Sequence, residues 1–418
     1  MSLFEQILAP HNLHEAWKRV RQNKGAAGCD GLSLDDYPVW AQVHWVNVRQ
    51  GLEQGYYCPL PVRRVEIPKP NGGVRLLGIP AVNDRVIQQA ITQILQPIID
   101  PHFSTHSYGF RPNRSAHQAV RVVQGAIKEG YGFAVDIDLS KFFDEVDHDL
   151  LMNRVGKWVD DKQVLALIGQ YLRAGVEIDG ETMPSRRGVP QGSPLSPLLA
   201  NIMLDDLDGY LESQNYRFAR YADDFVISVK SFSEGERIKA EVENFLKTLK
   251  LPINTEKSQV VAVRDLKFLG FIFKGKRLVW CPQAIADFKH RVRELTGRSW
   301  GVSWRYRYQQ LRRYIVGWMN YFALSEYYRP IPRLDEWLRR RVRQCYLKQW
   351  RKPRTRIRKL LSLGVSLKEA INIGMSSKGY YRLARTKAVQ IGLNNDWLKS
   401  QGLVSIKEQW VKFHYPQG

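Results

Sequence analysis

The stretch RFARYADDFVISVK, residues 217–230, sets Asp223 and Asp224 side by side between two apolar runs. Phe218 and Tyr221 precede the pair, and Phe225, Ile227 and Val229 follow it with period two. That pattern predicts strand–turn–strand with the acids at the tip. Adjacent carboxylates repel each other, so they make poor structure but a good anchor for a hard divalent cation, which cancels the repulsion. Taken alone, such a dipeptide is more often an ordinary solvated turn. A third carboxylate shifts the balance. In GYGFAVDIDLSKFFDEVDHDLL, which begins at Gly130, Phe133, Val135 and Ile137 fall on one face of a predicted strand and Asp136 and Asp138 on the other. Two-metal phosphoryl transfer needs carboxylates that bridge two ions roughly 4 Å apart. One ion would activate a 3′-hydroxyl and the other would neutralise a triphosphate. Phe143, five residues past Asp138, could then press on a sugar C2′ and exclude a 2′-hydroxyl.

These residues need elements to position them. Residues 60–81 carry alternating apolar residues either side of a Pro-Asn-Gly-Gly turn, a β-hairpin signal. Residues 84–100 have a helical apolar stripe, and a helix is expected through Leu150 and Leu151. Asp144, Asp147 and Asp149 read as caps for that helix, and Asp136 as structural. In RRGVPQGSPLSPLLAN, Ser193 is expected as the N-cap and Pro194 as the first helical residue. Another helix is expected over about 234–249. The middle of the chain is therefore α+β. From about 286 the pattern is almost purely helical. Leu334, Leu338, Val342 and Tyr346 repeat every four residues, which predicts one packed side, with Arg339, Arg340, Arg341 and Arg343 on cationic faces.

Charge separates the chain into regions. The 418 residues carry a net +22, yet residues 1–288 hold 34 Lys/Arg and 34 Asp/Glu. Residues 289–360 hold 21 basic and 4 acidic residues, a net +17, and residues 361–418 hold 8 and 3, a net +5. A basic region of that strength suits a polyanion, above all nucleic acid. Aromatic residues between the arginines (Trp300, Trp304, Tyr306, Tyr308, Tyr314, Trp318, Tyr321) suit sugars and bases, although many must also be core. Four scattered cysteines without a CxxC pair give a zinc site no support and fit a reduced, cytoplasmic protein. No apolar run approaches the length of a membrane span, and no secretory signal opens the chain.

DIDLSKFFD, VPQGSPLSPLLAN, RYADDF and LKFLGF occur in that order. They resemble the successive blocks of retroelement reverse transcriptases, most closely the bacterial group II intron-encoded proteins that combine reverse transcriptase and maturase. The resemblance extends to NKGAAGCDG (residues 23–31), RRVEIPKPNGGVRLLGIP, SYGFRPNRSAH and the basic helical region. It implies a right-hand polymerase: an N-terminal extension over 1–60, fingers and palm over 61–285, a basic thumb over 286–365 and a C-terminal DNA-binding domain over 366–418. It assigns catalysis and metal binding to Asp138, Asp223 and Asp224, with two Mg²⁺ ions and Mn²⁺ as an alternative. Lys69 and Arg75 would hold the triphosphate, Phe143 would gate against ribonucleotides, Gln191 would contact the incoming dNTP and Lys257 would assist pyrophosphate departure. Lys69 and Arg75 are by residue type alone two exposed cations near a hairpin tip, and Lys257 a solvated loop lysine. Ser193 stands where the intron family usually has a second glycine. No endonuclease module follows the tail, as in class C intron proteins, which implies priming from a nick, a replication fork or another primer.

The function so implied is RNA-directed DNA polymerisation, with an RNA template, a DNA or RNA primer, dNTPs, a group II intron RNA and a DNA target as partners, and no membrane. A host reverse transcriptase that anneals short homologies and fills gaps in DNA repair would carry the same motifs. A splicing factor that binds RNA without catalysis would not need the three intact aspartates.

Overall fold

The computed structural model describes residues 1–68 and 73–416, and the chain forms two compact units, Met1–Val263 and Arg264–Gly418. In the first unit, helices α1 (Leu3–Ile7), α2 (Pro10–Gln22) and α3 (Tyr37–Gln54) precede the hairpin β1 (Val62–Pro68) and β2 (Val74–Ile79). Then come α4 (Val82–Ile99), α5 (Ala116–Lys128), β3 (Phe133–Asp138), α6 (Phe142–Glu145), α7 (His148–Val155), α8 (Lys162–Arg173), β4 (Val176–Ile178) and β5 (Glu181–Met183). The unit finishes with α9 (Ser196–Ser213), the hairpin β6 (Arg217–Tyr221) and β7 (Asp224–Val229), α10 (Phe232–Thr248) and β8 (Gln259–Ala262). The mixture is α+β, as expected.

Two sheets organise this unit. One has the order β2-β1-β4-β5, with β1 parallel to β4. The other, β6-β7-β3-β8, is antiparallel throughout and carries the acidic residues. Its apolar positions follow the period-two pattern: Val135, Ile137, Phe225, Ile227 and Val229 are all buried in the core. They share that core with Ile238, Val242 and Leu246, the apolar stripe of α10. Asp147 N-caps α7 by accepting from the Leu150 N–H at 2.9 Å, as the acidic cluster after Phe143 suggested.

Ser193 is not an N-cap. Helix α9 begins at Ser196 behind Leu195, with Pro197 in its first turn. The Ser193 hydroxyl instead donates to the Gln88 side chain on the buried helix α4. A long-range polar partner thus outcompetes the local capping geometry and delays the helix by two residues.

The second unit opens with a small antiparallel sheet in the order β11-β10-β9: β9 (Lys267–Phe268), β10 (Phe271–Lys274), β11 (Arg277–Trp280). Helices α11 (Pro282–Leu295), α12 (Trp304–Phe322) and α13 (Pro330–Gln349) follow. Shorter helices complete it: α14 (Pro353–Ser362), α15 (Leu367–Gly374), α16 (Tyr380–Leu383), α17 (Lys387–Gly392), α18 (Asn395–Ser400) and α19 (Ile406–His414). Leu334, Leu338, Val342 and Tyr346 form the packed side of α13 as expected.

The arginines of α13 do not form free cationic faces. Arg343 is buried, and donates through Nε to the Leu393 carbonyl at the end of α17 (2.8 Å) and to the Asn395 side chain. Arg339 pairs with Asp335, Arg340 donates to the Tyr381 carbonyl and lies over its ring, and Arg341 donates to Thr296. The interleaved aromatics are partly internal, with Trp300, Trp304, Tyr314 and Tyr321 half-buried and Tyr306 exposed. Tyr308 and Trp318 are buried, and Trp304 stacks on Tyr346 at 3.5 Å between ring centroids.

Candidate active site

The β6–β7 hairpin closes with Tyr221 opposite Asp224, so Ala222 and Asp223 are its two loop residues. Ala222 has φ +60, in the left-handed region where glycine is the usual occupant. A short strained turn of this kind persists only where its surroundings hold it. Arg220 supplies much of that hold. It is fully buried, and donates through Nη1 to the Ala222 carbonyl at 2.9 Å. Its Nε and Nη2 pair in parallel with both oxygens of Asp208, also fully buried, at 2.7 and 2.5 Å. Asn201 accepts from Arg220 at 3.1 Å and donates to the Gly109 carbonyl at 2.9 Å. Gly109 lies so close to the turn that a Cβ there would sit 2.2 Å from the Ala222 nitrogen.

Across the sheet, the register places Asp138 of β3 directly opposite Asp224 of β7, and Asp136 opposite Val226. Antiparallel partners project to the same face, so Asp136, Asp138 and Asp224 share one side of the sheet with Asp223 at its tip. The Asp138 backbone is clamped on both sides: its N–H donates to Ser258 Oγ (3.1 Å), and its carbonyl accepts from the Asn254 N–H (2.8 Å).

The electrostatics follow from this crowding. The Asp224 carboxyl is pushed up to about 7 by burial and then by the charges of Asp136, Asp223 and Asp138. Burial and the neighbouring Asp138 push Asp136 up to about 6. Burial also raises Asp223, against the opposing pull of Arg75 and Arg220. Lys257 Nζ lies 3.3 Å from Asp138 Oδ2. The donor set is entirely hard oxygen, and the charges acting on Asp224 are all negative, which suits a divalent cation. Among the described residues no group of three His, Cys, Asp or Glu side chains is gathered closely enough to hold an ion as it stands. The backbone register is in place, while the Asp138 carboxylate faces Lys257.

The other expected residues fall in two places. Arg75 is exposed on β2 opposite Ile67, and its charge reaches Asp223. Lys69 lies outside the described residues. Phe143 and Gln191 line a cavity of about 530 Å³ together with Arg64, Lys141, Arg186 and Arg187, whereas the three aspartates do not border it. The Gln191 carbonyl accepts from the Gly78 N–H at 2.8 Å, and Gly192 comes close enough that a Cβ would meet the Gly78 carbonyl at 2.9 Å. The Pro-Gln-Gly loop is thereby tied to β2. The Arg220–Asp208–Asn201 support was not read from the sequence. Its signal was present: Asp208 falls on the buried stripe of α9 with Leu204, Leu207 and Leu211, where an acid needs a buried partner.

A strand-borne acidic turn facing a third aspartate in an α+β sheet marks the class of nucleotidyl-transferring polymerases. Comparison with known proteins narrows the class. Residues 67–273 match the model for reverse transcriptase (RNA-dependent DNA polymerase), and residues 285–362 match that of the group II intron maturase-specific domain. The protein YkfC of Escherichia coli is 36% identical over 318 residues, covering 66% of this chain and 82% of that protein. The group II intron-encoded protein LtrA of Lactococcus lactis is 30% identical over 345 residues, covering 66% of this chain and 57% of its own length. A chain in a solved structure described as a partial Cas6-RT-Cas1–Cas2 complex is 29% identical, with a TM-score of 0.39 over 60% of this chain and 42% of that one. The chain belongs to the group II intron-encoded reverse transcriptase/maturase family, and it is an RNA-directed DNA polymerase. Reverse transcriptase domains use divalent metal ions. No helix among the described residues is long and apolar enough to cross a membrane.

Proposed function

We propose that Asp138, Asp223 and Asp224 hold two Mg²⁺ ions and that the chain extends a DNA or RNA primer along an RNA template at this point. The observation that carries the reading is the register: Asp138 lies opposite Asp224 on one sheet face, and the charges acting on the raised Asp224 carboxyl are all negative. When bound, the ions would lower the cost of ionising the primer 3′-hydroxyl and neutralise the departing pyrophosphate. The residues of the chain have distinct tasks. Asp138 would be one of the residues holding the ions, and Lys257, whose Nζ lies 3.3 Å from Asp138 Oδ2, would give a proton to the leaving pyrophosphate. Arg75, with Lys69, neutralises the triphosphate oxygens. Phe143 closes the space a ribose 2′-hydroxyl would need, and Gln191 contacts the nucleotide from the loop tied to β2.

In this reading residues 61–285 are fingers and palm, 1–60 an N-terminal extension, 286–365 a thumb and 366–418 a DNA-binding domain. The exposed cations of the basic region, such as Arg312, Arg313, Arg354 and Arg358, bind the parent intron RNA and aid its splicing and mobility. The test is primer extension on an RNA template with dNTPs and Mg²⁺. D224N is expected to lower the rate by on the order of a thousandfold while RNA affinity stays within about threefold. Equal extension by D224N and wild type would remove the site assignment.

A further inference from the structure

The segment SYGFRPNRSAH, residues 107–117, lies against the acidic turn, and the chemistry above gives it no task. Its centre is Phe110, which is 45% exposed and has φ +59. A large exposed aromatic in the left-handed region is uncommon, and the surroundings impose it here. The Tyr108 N–H donates to the Arg220 carbonyl at 2.8 Å, and the Arg220 N–H donates to the His106 carbonyl at 2.9 Å. The Gly109 carbonyl is held by Asn201 and the Phe110 carbonyl accepts from Gln96 Nε2 at 3.2 Å. The same buried network that shapes the catalytic turn therefore also fixes Phe110. Its ring stands 6.5 Å from that of Tyr221, centroid to centroid, at 43°.

What the segment offers to solvent is also informative. One of its two arginines is spent internally. Arg111 is buried and donates to Asp100 and to the carbonyls of Ser104 and Ser107. Arg114 donates to the Thr105 carbonyl and lies over the Tyr108 ring. So the segment presents the Phe110 ring beside the turn, with Arg114 half-exposed four residues further along. A phenyl ring has no donor or acceptor with which to read base identity, but it covers sugar and base surface whatever the sequence. Tyr221 is two residues from Asp223, so anything lying on both rings is at the reacting end.

We propose that Phe110 and Tyr221 form an aromatic shelf that receives the end of the primer–template duplex, and that Phe110 is a specific duplex-binding residue. The inference rests on the polymerase reading of the three aspartates. It is tested on the full-length chain with a DNA primer annealed to an RNA template. F110A and F110N are expected to raise KM for the duplex about 5- to 50-fold, with kcat at saturating duplex within about threefold of wild type and KM for dNTP unchanged, while F110W stays near wild type. F110N also relieves the positive φ, so its thermal midpoint should equal or exceed that of wild type, whereas a merely structural role predicts a fall. An unchanged duplex KM, or a rise in the dNTP KM instead, overturns the proposal. Binding of the same duplex by fluorescence anisotropy, without metal or nucleotide, tests the shelf even if polymerisation fails: equal affinity of F110A and wild type would overturn it.

Discussion

The two compact units bury arginine differently. In the first, Arg220, Arg111 and Arg154 each meet a carboxylate (Asp208, Asp100 and Asp206), Arg111 and Arg154 adding carbonyls, while Arg85 donates to the Ala26 carbonyl. In the second, buried arginines meet backbone. Arg307 donates to the carbonyls of Leu295, Gly297 and Trp300, at and just past the end of α11. Arg343 reaches the Leu393 carbonyl after α17, and Arg356 reaches those of Ile373 and Gly374 at the end of α15. Helix C-termini leave carbonyls unpaired and carry partial negative charge, so a guanidinium satisfies several at once. The difference teaches how to read net charge. Carboxylate pairing keeps the first region neutral, while carbonyl pairing leaves every arginine in the count although some never meet solvent. The +17 of residues 289–360 is therefore partly architecture and only partly a surface for nucleic acid.

Breaking each kind of pairing should separate them most clearly. D208N leaves Arg220 buried beside a neutral partner and removes support from the Ala222 turn, an expected loss of about 3–5 kcal/mol. R356M removes hydrogen bonds but strands no ion, an expected loss of about 1–3 kcal/mol. Hydrogen exchange resolved by unit, in a urea series, measures both. A larger loss for R356M would reverse the comparison.

A smaller effect should come from pH. Burial pushes the Asp84 carboxyl up to about 6, against the pull of its hydrogen bonds from Tyr57 and the Leu60 N–H. A carboxyl raised on folding holds its proton longer in the folded chain. Stability from this group is thus present at low pH and falls as pH rises from about 4 to about 6, by on the order of 3 kcal/mol. The first unit should show this decline in urea titrations between pH 4 and pH 7, and D84N should reduce it by the Asp84 share, leaving that of the other raised carboxyls such as Asp136 and Asp224. The second unit has its counterpart in Arg343, lowered to about 10 by burial and by Arg339, and that group is silent in the same range.

The smallest effect sharpens the distinction between counted and presented charge. Arg313 is exposed and Arg343 buried. R313Q should reduce the slope of log K for RNA against log salt by up to about 1, with a few-fold loss of affinity at physiological salt. R343M, where it folds, should leave the slope unchanged. Equal slopes for R313Q and wild type would take Arg313 out of the RNA-facing surface.

Much of this molecule follows from short-range chemistry. Period two in 133–138 and 224–229 places Asp138 and Asp224 on strands with one face apolar, and the Asp-Asp step must then fall at a turn. The order of the four motifs is enough to identify the family, because spacing along the chain survives without any knowledge of packing. Tertiary structure decided the rest. Ser193 has the side chain of an N-cap, yet Gln88, 105 residues away, takes its hydroxyl and the helix starts at Ser196. Arg343 sits in a run of arginines that reads as solvated, yet a helix end 50 residues on fills its donors. Arg220 and Phe110 looked incidental beside the acids, and only the contacts of Asp208, Asn201 and Gly109 give them work. The physical reason is common to these cases. Periodicity and turn preference act within a few residues, whereas a polar group removed from water must take whatever partner the packed chain brings to it.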